Sequence, residues 1–267
     1  MTGFFSKLGL FVVFIGLGAV IGWFAAPMFQ TPQWKSVARF EAPKVVDLGN
    51  YYSLYGTYNL VKGAPEQSRF DEEITQQVYQ EFKRNLTSPD ILQHFLVQHE
   101  TVKQIAARQH QPVAMVAQSL IQHFQLNESQ NSFSLTFTDP EDATRLLSEF
   151  IRFAAVQTRV VLNDELIAKW KILFQQVKQS AEQNLGAIQQ GAQIAQQDWN
   201  GKLNIMRSVQ PLDDRLQPFR FIKSPTVPQQ TEPPSQQIMY SVMGGVTGFM
   251  VAVIALFFIS RRKAHKD

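Results

Sequence analysis

Four groups of side chains are where a search for chemistry starts: Glu72-Glu73, Asp213-Asp214, the pair His94 and His99, and the tyrosines Tyr51, Tyr52, Tyr55 and Tyr58. General acid–base work needs two carboxylates in unlike environments around one reacting atom. Both acidic pairs read instead as solvated charges. His94 and His99 are five residues apart, not the four that would stack two ligands on one helix face. The chain has no cysteine, hence no thiol nucleophile and no disulfide. It carries no P-loop, no G-x-G-x-x-G and no H-E-x-x-H. No catalytic residue, cofactor or metal is expected. The tyrosines could bind a sugar by stacking, or Tyr52 and Tyr55 could join Phe82 in a core; the sequence leaves both open.

What would position such residues is set by two charge-free runs. Leu8 to Trp34 and Ile238 to Ser260 carry no charge, and 8–29 is almost wholly apolar. A hydrocarbon core of ~30 Å takes about 20 residues of helix, so both runs qualify as spans. The first is longer than a signal-peptide core of ~7–15 residues. Phe24-Ala25-Ala26 also lacks a small–x–small cleavage site, so an uncleaved anchor is expected. Trp23 and Trp34 fit an interfacial belt. Gly18-x-x-x-Gly22 and Gly244-x-x-x-Gly248 are candidates for close packing of the spans.

Charge sets the orientation. Lys7 lies before the first span, and Arg261, Arg262, Lys263 and Lys266 follow the second. Both termini are therefore expected in the cytoplasm, with the central region in a bacterial periplasm. Of 25 basic residues 20 lie in 30–237, against 21 of 22 acidic ones, so the chain's basic balance comes from its tails. That argues against nucleic acid as a partner and for contact with anionic lipid. The expected plan is 1–7 cytoplasmic, 8–29 a span, 30–237 periplasmic, 238–260 a span and 261–267 a cytoplasmic tail. A sensor would need a signalling domain beyond the second span, which seven residues do not supply.

The central region reads as an α+β domain with a small sheet, several helices and an extended helical arm. SVARFE (36–41) and NSFSLTFT (131–138) alternate as strands do, the second with Phe133, Leu135 and Phe137 on one face. Phe219 to Ile222 is a third candidate. Phe70, Ile74, Val78 and Phe82 share a helix face. Ser88-Pro89-Asp90 caps a helix carrying Ile91, Leu92, Phe95 and Leu96. Short helices are expected near 101–109 and 112–124.

No proline occurs between Glu141 and Gln210. Asp139-Pro140-Glu141-Asp142 starts a helix. From Leu166 to Met206 an apolar stripe recurs about every 3.6 residues, the period of one straight amphipathic face. It packs either on the chain's own domain or, as an arm over about 140–206, against neighbouring subunits. On the second reading Trp170, Phe174 and Trp199 are interface candidates. A single helix over 141–209 would reach roughly 100 Å, which the short return to the second span cannot close. A break or reversal is therefore expected, at Asn163-Asp164, between Gly186 and Gly191, or at Gly201. The proline-rich segment 225–234 is expected as an extended polyproline connector.

Several of these segments, in this order, resemble the Wzz-type chain-length determinants, class 1 polysaccharide co-polymerases of bacterial inner membranes. WKSVARFEAPKVVDLGNYYSLYG (34–56) looks like the family's first strand and LGxYYS-like element. FKRNLTSPDILQHFL (82–96) and FSLTFTDPEDATRLLSEFI (133–151) resemble its next two motifs, and a P-x-x-P approach leads to a Gly-rich second span. The soluble region is short for the family, mainly after Met206, which implies a reduced distal helical part. The resemblance implies a ring-like homo-oligomer that sets the modal length of O-antigen or enterobacterial common antigen without catalysing its synthesis. Its implied partners are itself, a Wzy-type polymerase and lipid-linked glycan. A periplasmic-facing adaptor or scaffold of an export complex is the alternative.

Overall fold

The computed structural model describes the backbone of residues 2–29, 32–63, 69–183, 198–232 and 237–263. The chain forms two compact units, one of 1–36, 136–143 and 227–267 and one of 37–135 and 144–226.

In the first unit, helix α1 (Thr2–Phe29) packs on helix α9 (Gln237–Lys263). Gln33 and Trp34, which open strand β1 (Gln33–Glu41), pair antiparallel with Glu232 and Thr231 of strand β5 (Thr231–Glu232). So the segment expected as a polyproline connector holds a short strand pairing. Side-chain surroundings are described for 12–25 of α1 and 239–254 of α9. Among the described residues no helix is long and apolar enough to cross a membrane.

The second unit holds most of the helices. They are α2 (Asn50–Lys62), α3 (Phe70–Thr87), α4 (Pro89–Gln98), α5 (Glu100–Gln109), α6 (Val113–Ile121) and α8 (Trp199–Ser208), with the long α7 (Pro140–Glu182) running into it. Ser88 Oγ accepts from Ile91 N at 3.4 Å with Pro89 at the first turn of α4, and Asp139 Oδ1 accepts from Asp142 N at 2.8 Å at the start of α7. Both caps are legible in the sequence. His110, at φ 52°, closes α5 in the left-handed region, and Pro112 opens α6.

Strands β2 (Phe124–Asn127), β3 (Ser132–Phe137), β1 and β4 (Arg220–Lys223) are neighbours in that order, with β5 also on β1. β2 pairs β3 with Phe124 opposite Leu135 and Leu126 opposite Phe133; a bulge at Arg39/Phe40 interrupts the β1–β4 register. β2 begins at Phe124, the residue expected to end a helix, and takes 125–127, which lie outside any expected element. β4 lies one residue beyond its expected start. β3 is buried on both faces, Ser132 and Ser134 included, so its alternating sequence does not mean one solvated side. At the centre Phe40, Phe82 and Phe219 meet, with ring centroids 4.4 Å apart for Phe82 and Phe219 and 5.1 Å for Phe40 and Phe219.

α7 does not break at Asn163-Asp164. Leu162 and Leu166 are 2% and 1% exposed on either side, and burying both is worth more than the alternative capping a short polar pair offers. Gly186 and Gly191 lie outside the described residues. Gly201 lies inside α8 and does not break it; the start is at Asp198, whose Oδ1 accepts from Gly201 N at 2.8 Å as the N-cap.

Candidate functional site

The apolar stripe of α7 and α8 meets two clusters of the chain's own core. Trp170 packs against Leu48, Tyr51, Leu54, Ile74, Val78, Leu162, Leu166 and Leu216, and also against a second cluster of Val61, Val177, Ala181, Leu203 and Met206. Phe174 and Trp199 pack against that second cluster. Within the chain the stripe packs on the chain's own domain, where residues of α2, α7 and α8 share one cluster. Trp170, Phe174 and Trp199 are half-buried there. The large apolar side chains that α7 leaves exposed are Val156, Val160, Val161, Ile167 and Ile172.

The tyrosines line α2 against the same core. Tyr51 is 3% exposed and offers no open ring face; burial pushes its hydroxyl pKa up. Tyr52 and Tyr55 lean on Phe70, with centroids 5.7 and 6.0 Å away. Their hydroxyls donate to Asp71 Oδ1 at 2.7 Å and Gln77 Oε1 at 3.3 Å. The Asp71 bond raises the Tyr52 pKa. Tyr58 packs on the same cluster beside the Lys62 ammonium, 5.8 Å from its ring centre. Phe82 stands apart from them, with Phe40 and Phe219.

The remaining polar candidates do separate structural work. His99 Nε2 lies 2.8 Å from Glu149 Oε2 while its Nδ1 caps α5 by accepting from Thr101 N; His94 pairs with Gln98 at 3.2 Å. Glu72 and Glu73 are exposed in the first turn of α3. Asp213 Oδ1 accepts from Asn50 N at 3.3 Å, capping α2 from a distant part of the chain. Among the described residues no three His, Cys, Asp or Glu side chains could hold a metal ion.

Two positions carry more than sequence reasoning assigned. Gly49 has φ 55° and ψ −142° at the turn into α2, a conformation that side chains rarely adopt, and a Cβ there would meet Asp213 Oδ1 at 2.6 Å. The L-G element is its only sequence signal. Asp47 is a hub: its carboxylate accepts from Arg220 Nε and Nη2 at 2.6 and 3.1 Å and from Lys44 N at 2.8 Å, and its carbonyl accepts from Gln217 N at 2.8 Å. The Arg220 bond holds Asp47 below its ordinary carboxylate pKa and raises that of Arg220. With 173 residues between the partners, no local pattern announces the pair.

In the first unit the four glycines sit where α1 and α9 touch. A Cβ on Gly18 would overlap the carbonyl of Gly244, and one on Gly244 that of Gly18; Gly22 meets Tyr240 O and Gly248 meets Phe14 O in the same way. Ser241 Oγ donates to Ala19 O at 3.2 Å across the pair.

No protein-family model matches the chain. An uncharacterized protein of Haemophilus influenzae strain Rd is 35% identical over 112 residues, 41% of this chain and 96% of its own. The "ECA polysaccharide chain length modulation protein" of Escherichia coli K12 is 22% identical over an alignment of 312 residues, covering 91% of this chain and 90% of its own. Among solved structures, a full-length bacterial polysaccharide co-polymerase matches 98% of both chains with a TM-score of 0.58 at 13% identity. The chain thus shares the fold of polysaccharide co-polymerases and is similar along most of its length to a chain length modulation protein. A fragment of WzzB from Salmonella Typhimurium shares the fold over 75% of this chain and 99% of its own, with a TM-score of 0.52 and 16% identity. The chain presents a scaffold of packed helices on a small sheet, with Tyr51, Phe40, Phe82 and Phe150 buried in its core.

Proposed function

We propose that this chain regulates, without catalysing bond formation, the modal length of a surface polysaccharide made by a Wzy-type polymerase. The observation that carries this reading is the likeness to the Escherichia coli chain length modulation protein over 91% of the chain. A Salmonella typhimurium relative at 22% identity carries the same name. That makes enterobacterial common antigen the first glycan to test, ahead of O-antigen.

The proposed setting is the bacterial inner membrane. α1 and α9 cross it, both termini are cytoplasmic and the α+β region is periplasmic. The charge-free runs 8–34 and 238–260 and the basic tail Arg261, Arg262, Lys263 and Lys266 support this. The chain works as a ring-like homo-oligomer. With Trp170, Phe174 and Trp199 drawn largely into the chain's own core, the exposed Val156, Val160 and Ile167 of α7 offer an apolar surface for side-by-side contact. Gly18, Gly22, Gly244 and Gly248 serve the packing of the two spans on each other. Glycan contact by the tyrosines falls to Tyr52, Tyr55 and Tyr58, whose rings are half-buried, and not to Tyr51.

The test is the electrophoretic profile of surface glycan from cells lacking the chain. Loss of the modal cluster, with short and long chains both still made, is the expected result. Unchanged modal length together with an export defect would reject it.

A further inference from the structure

In the second unit an open cleft of about 710 Å³ runs between α7 and the segment 216–225. Ser148, Ile151, Arg152, Ala155 and Arg159 line one side, and Leu216 to Phe221 the other. Three arginines line it, Arg152, Arg159 and Arg220, against Glu41 as the one acidic lining residue. Arg220 is held by Asp47, with 35% of its side chain still exposed. Arg159 Nη1 donates to the carbonyl of Asp214, which fixes that arm and leaves its other N–H groups. Arg152 is exposed, and among the described residues it has no hydrogen-bond or ion-pair partner. Seven residues separate Arg152 from Arg159, two turns or about 10 Å on the same face of α7. Ala155 and Val156 stand between them and also line the cleft. The floor is apolar, with Ile151 1% and Leu216 2% exposed. Phe219 also lines it, its ring fixed against Phe82.

Arginines matched by too few acids select oxyanions, because the planar fork gives two parallel N–H bonds to a carboxylate or phosphate. An apolar floor beside a fixed aromatic ring suits the C–H face of a sugar. The volume lies in the ~300–1,000 Å³ range of small-ligand sites and far exceeds one phosphate. We propose that this cleft binds an acidic saccharide unit, its carboxylate or phosphate held by Arg152 and Arg159 and its ring laid over the floor. The saccharide part rests on the chain-length reading; the oxyanion part rests on the cleft alone.

Titration calorimetry on the full chain in detergent micelles tests this, with glucuronic acid, glucose 1-phosphate, glucose, glycerol phosphate and inorganic phosphate as probes. The acidic sugars are expected to bind, glucose to bind at least tenfold more weakly, and Arg152→Gln to weaken the acidic sugars by about tenfold, as loss of a charged hydrogen bond does. Ala155→Phe, which fills the gap without touching a charge, should have a similar effect. Glycerol phosphate and inorganic phosphate binding as well as glucose 1-phosphate would overturn the saccharide proposal in favour of a lipid headgroup or free ion. No binding by any probe, with Arg152→Glu changing the mass of the assembled protein, would overturn it in favour of a salt bridge to another chain. None of these outcomes depends on the glycan profile of cells lacking the chain, so the two readings fail separately.

Discussion

At the scale of single residues, Gly49 and Asp47 hold the entrance to α2 in place. Gly49 takes a backbone conformation costing a side-chain-bearing residue about 1–3 kcal/mol, and Asp213 blocks the Cβ direction. Gly49→Ala should therefore lower unfolding free energy by at least that amount in urea titrations of the detergent-solubilised chain; an unchanged midpoint would contradict the strain. Asp47 acts through charge. Its folded-state pKa is depressed by the Arg220 hydrogen bond, so its contribution is complete above the unfolded value of about 4 and is lost as pH falls through the folded value. Asp47→Asn should melt a few degrees below the unsubstituted chain near pH 7, and the gap should close in acid. A gap that stays constant down to about pH 3 would show that the carboxylate's charge is not what matters.

At the scale of elements, the long helix decides how the molecule is read. Caps made by Ser88, Pro89 and Asp139 announce α4 and α7 because a helix start is a local event, written in two or three neighbouring residues. The side that a stripe packs against is not local. Trp170 and Phe174 have the period of a buried face whether the partner is the same chain or another, and the packing on Val61, Leu203 and Met206 is not written in that period. β2 and β5 are too short to carry a period, and the Asp47–Arg220 pair depends on chain closure over the whole domain. The tyrosines were ambiguous for a similar reason: an amphipathic ring suits a core edge and a ligand face equally. Trp170→Ala should destabilise the solubilised chain by roughly 2–3 kcal/mol, below the full cost of truncating a buried tryptophan because the ring is half-exposed. Unchanged stability with a changed assembly mass would restore the intersubunit reading. For the spans, the absence of cysteine permits a clean test. Ala19→Cys with Ser241→Cys should cross-link within one chain, and Gly244→Leu with Gly248→Leu should reduce that cross-link several-fold. Equal cross-linking in the leucine variant would make the glycines incidental to packing.

At the scale of the whole molecule, the chain is helices packed on a small sheet. Glu72 and Glu73 are exposed, Asp213 caps α2, His99 caps α5 beside Glu149 and His94 pairs with Gln98. Its fold is that of the polysaccharide co-polymerases it resembles, and the charge of the tails gives its proposed orientation. Fusions of a periplasm-active phosphatase should be inactive at the C-terminus and active within the central region; activity at the C-terminus would reverse the topology. The central claim is that this one chain suffices to impose a modal length on a polymer that other proteins make. The most direct measurement is a silver-stained glycan ladder from a host that retains a Wzy-type polymerase but lacks its own chain-length regulator, with and without this chain in its membrane. The account predicts that a broad, length-independent ladder collapses into a cluster around one modal length when the chain is present. A ladder unchanged by a chain that is demonstrably inserted and assembled would contradict it.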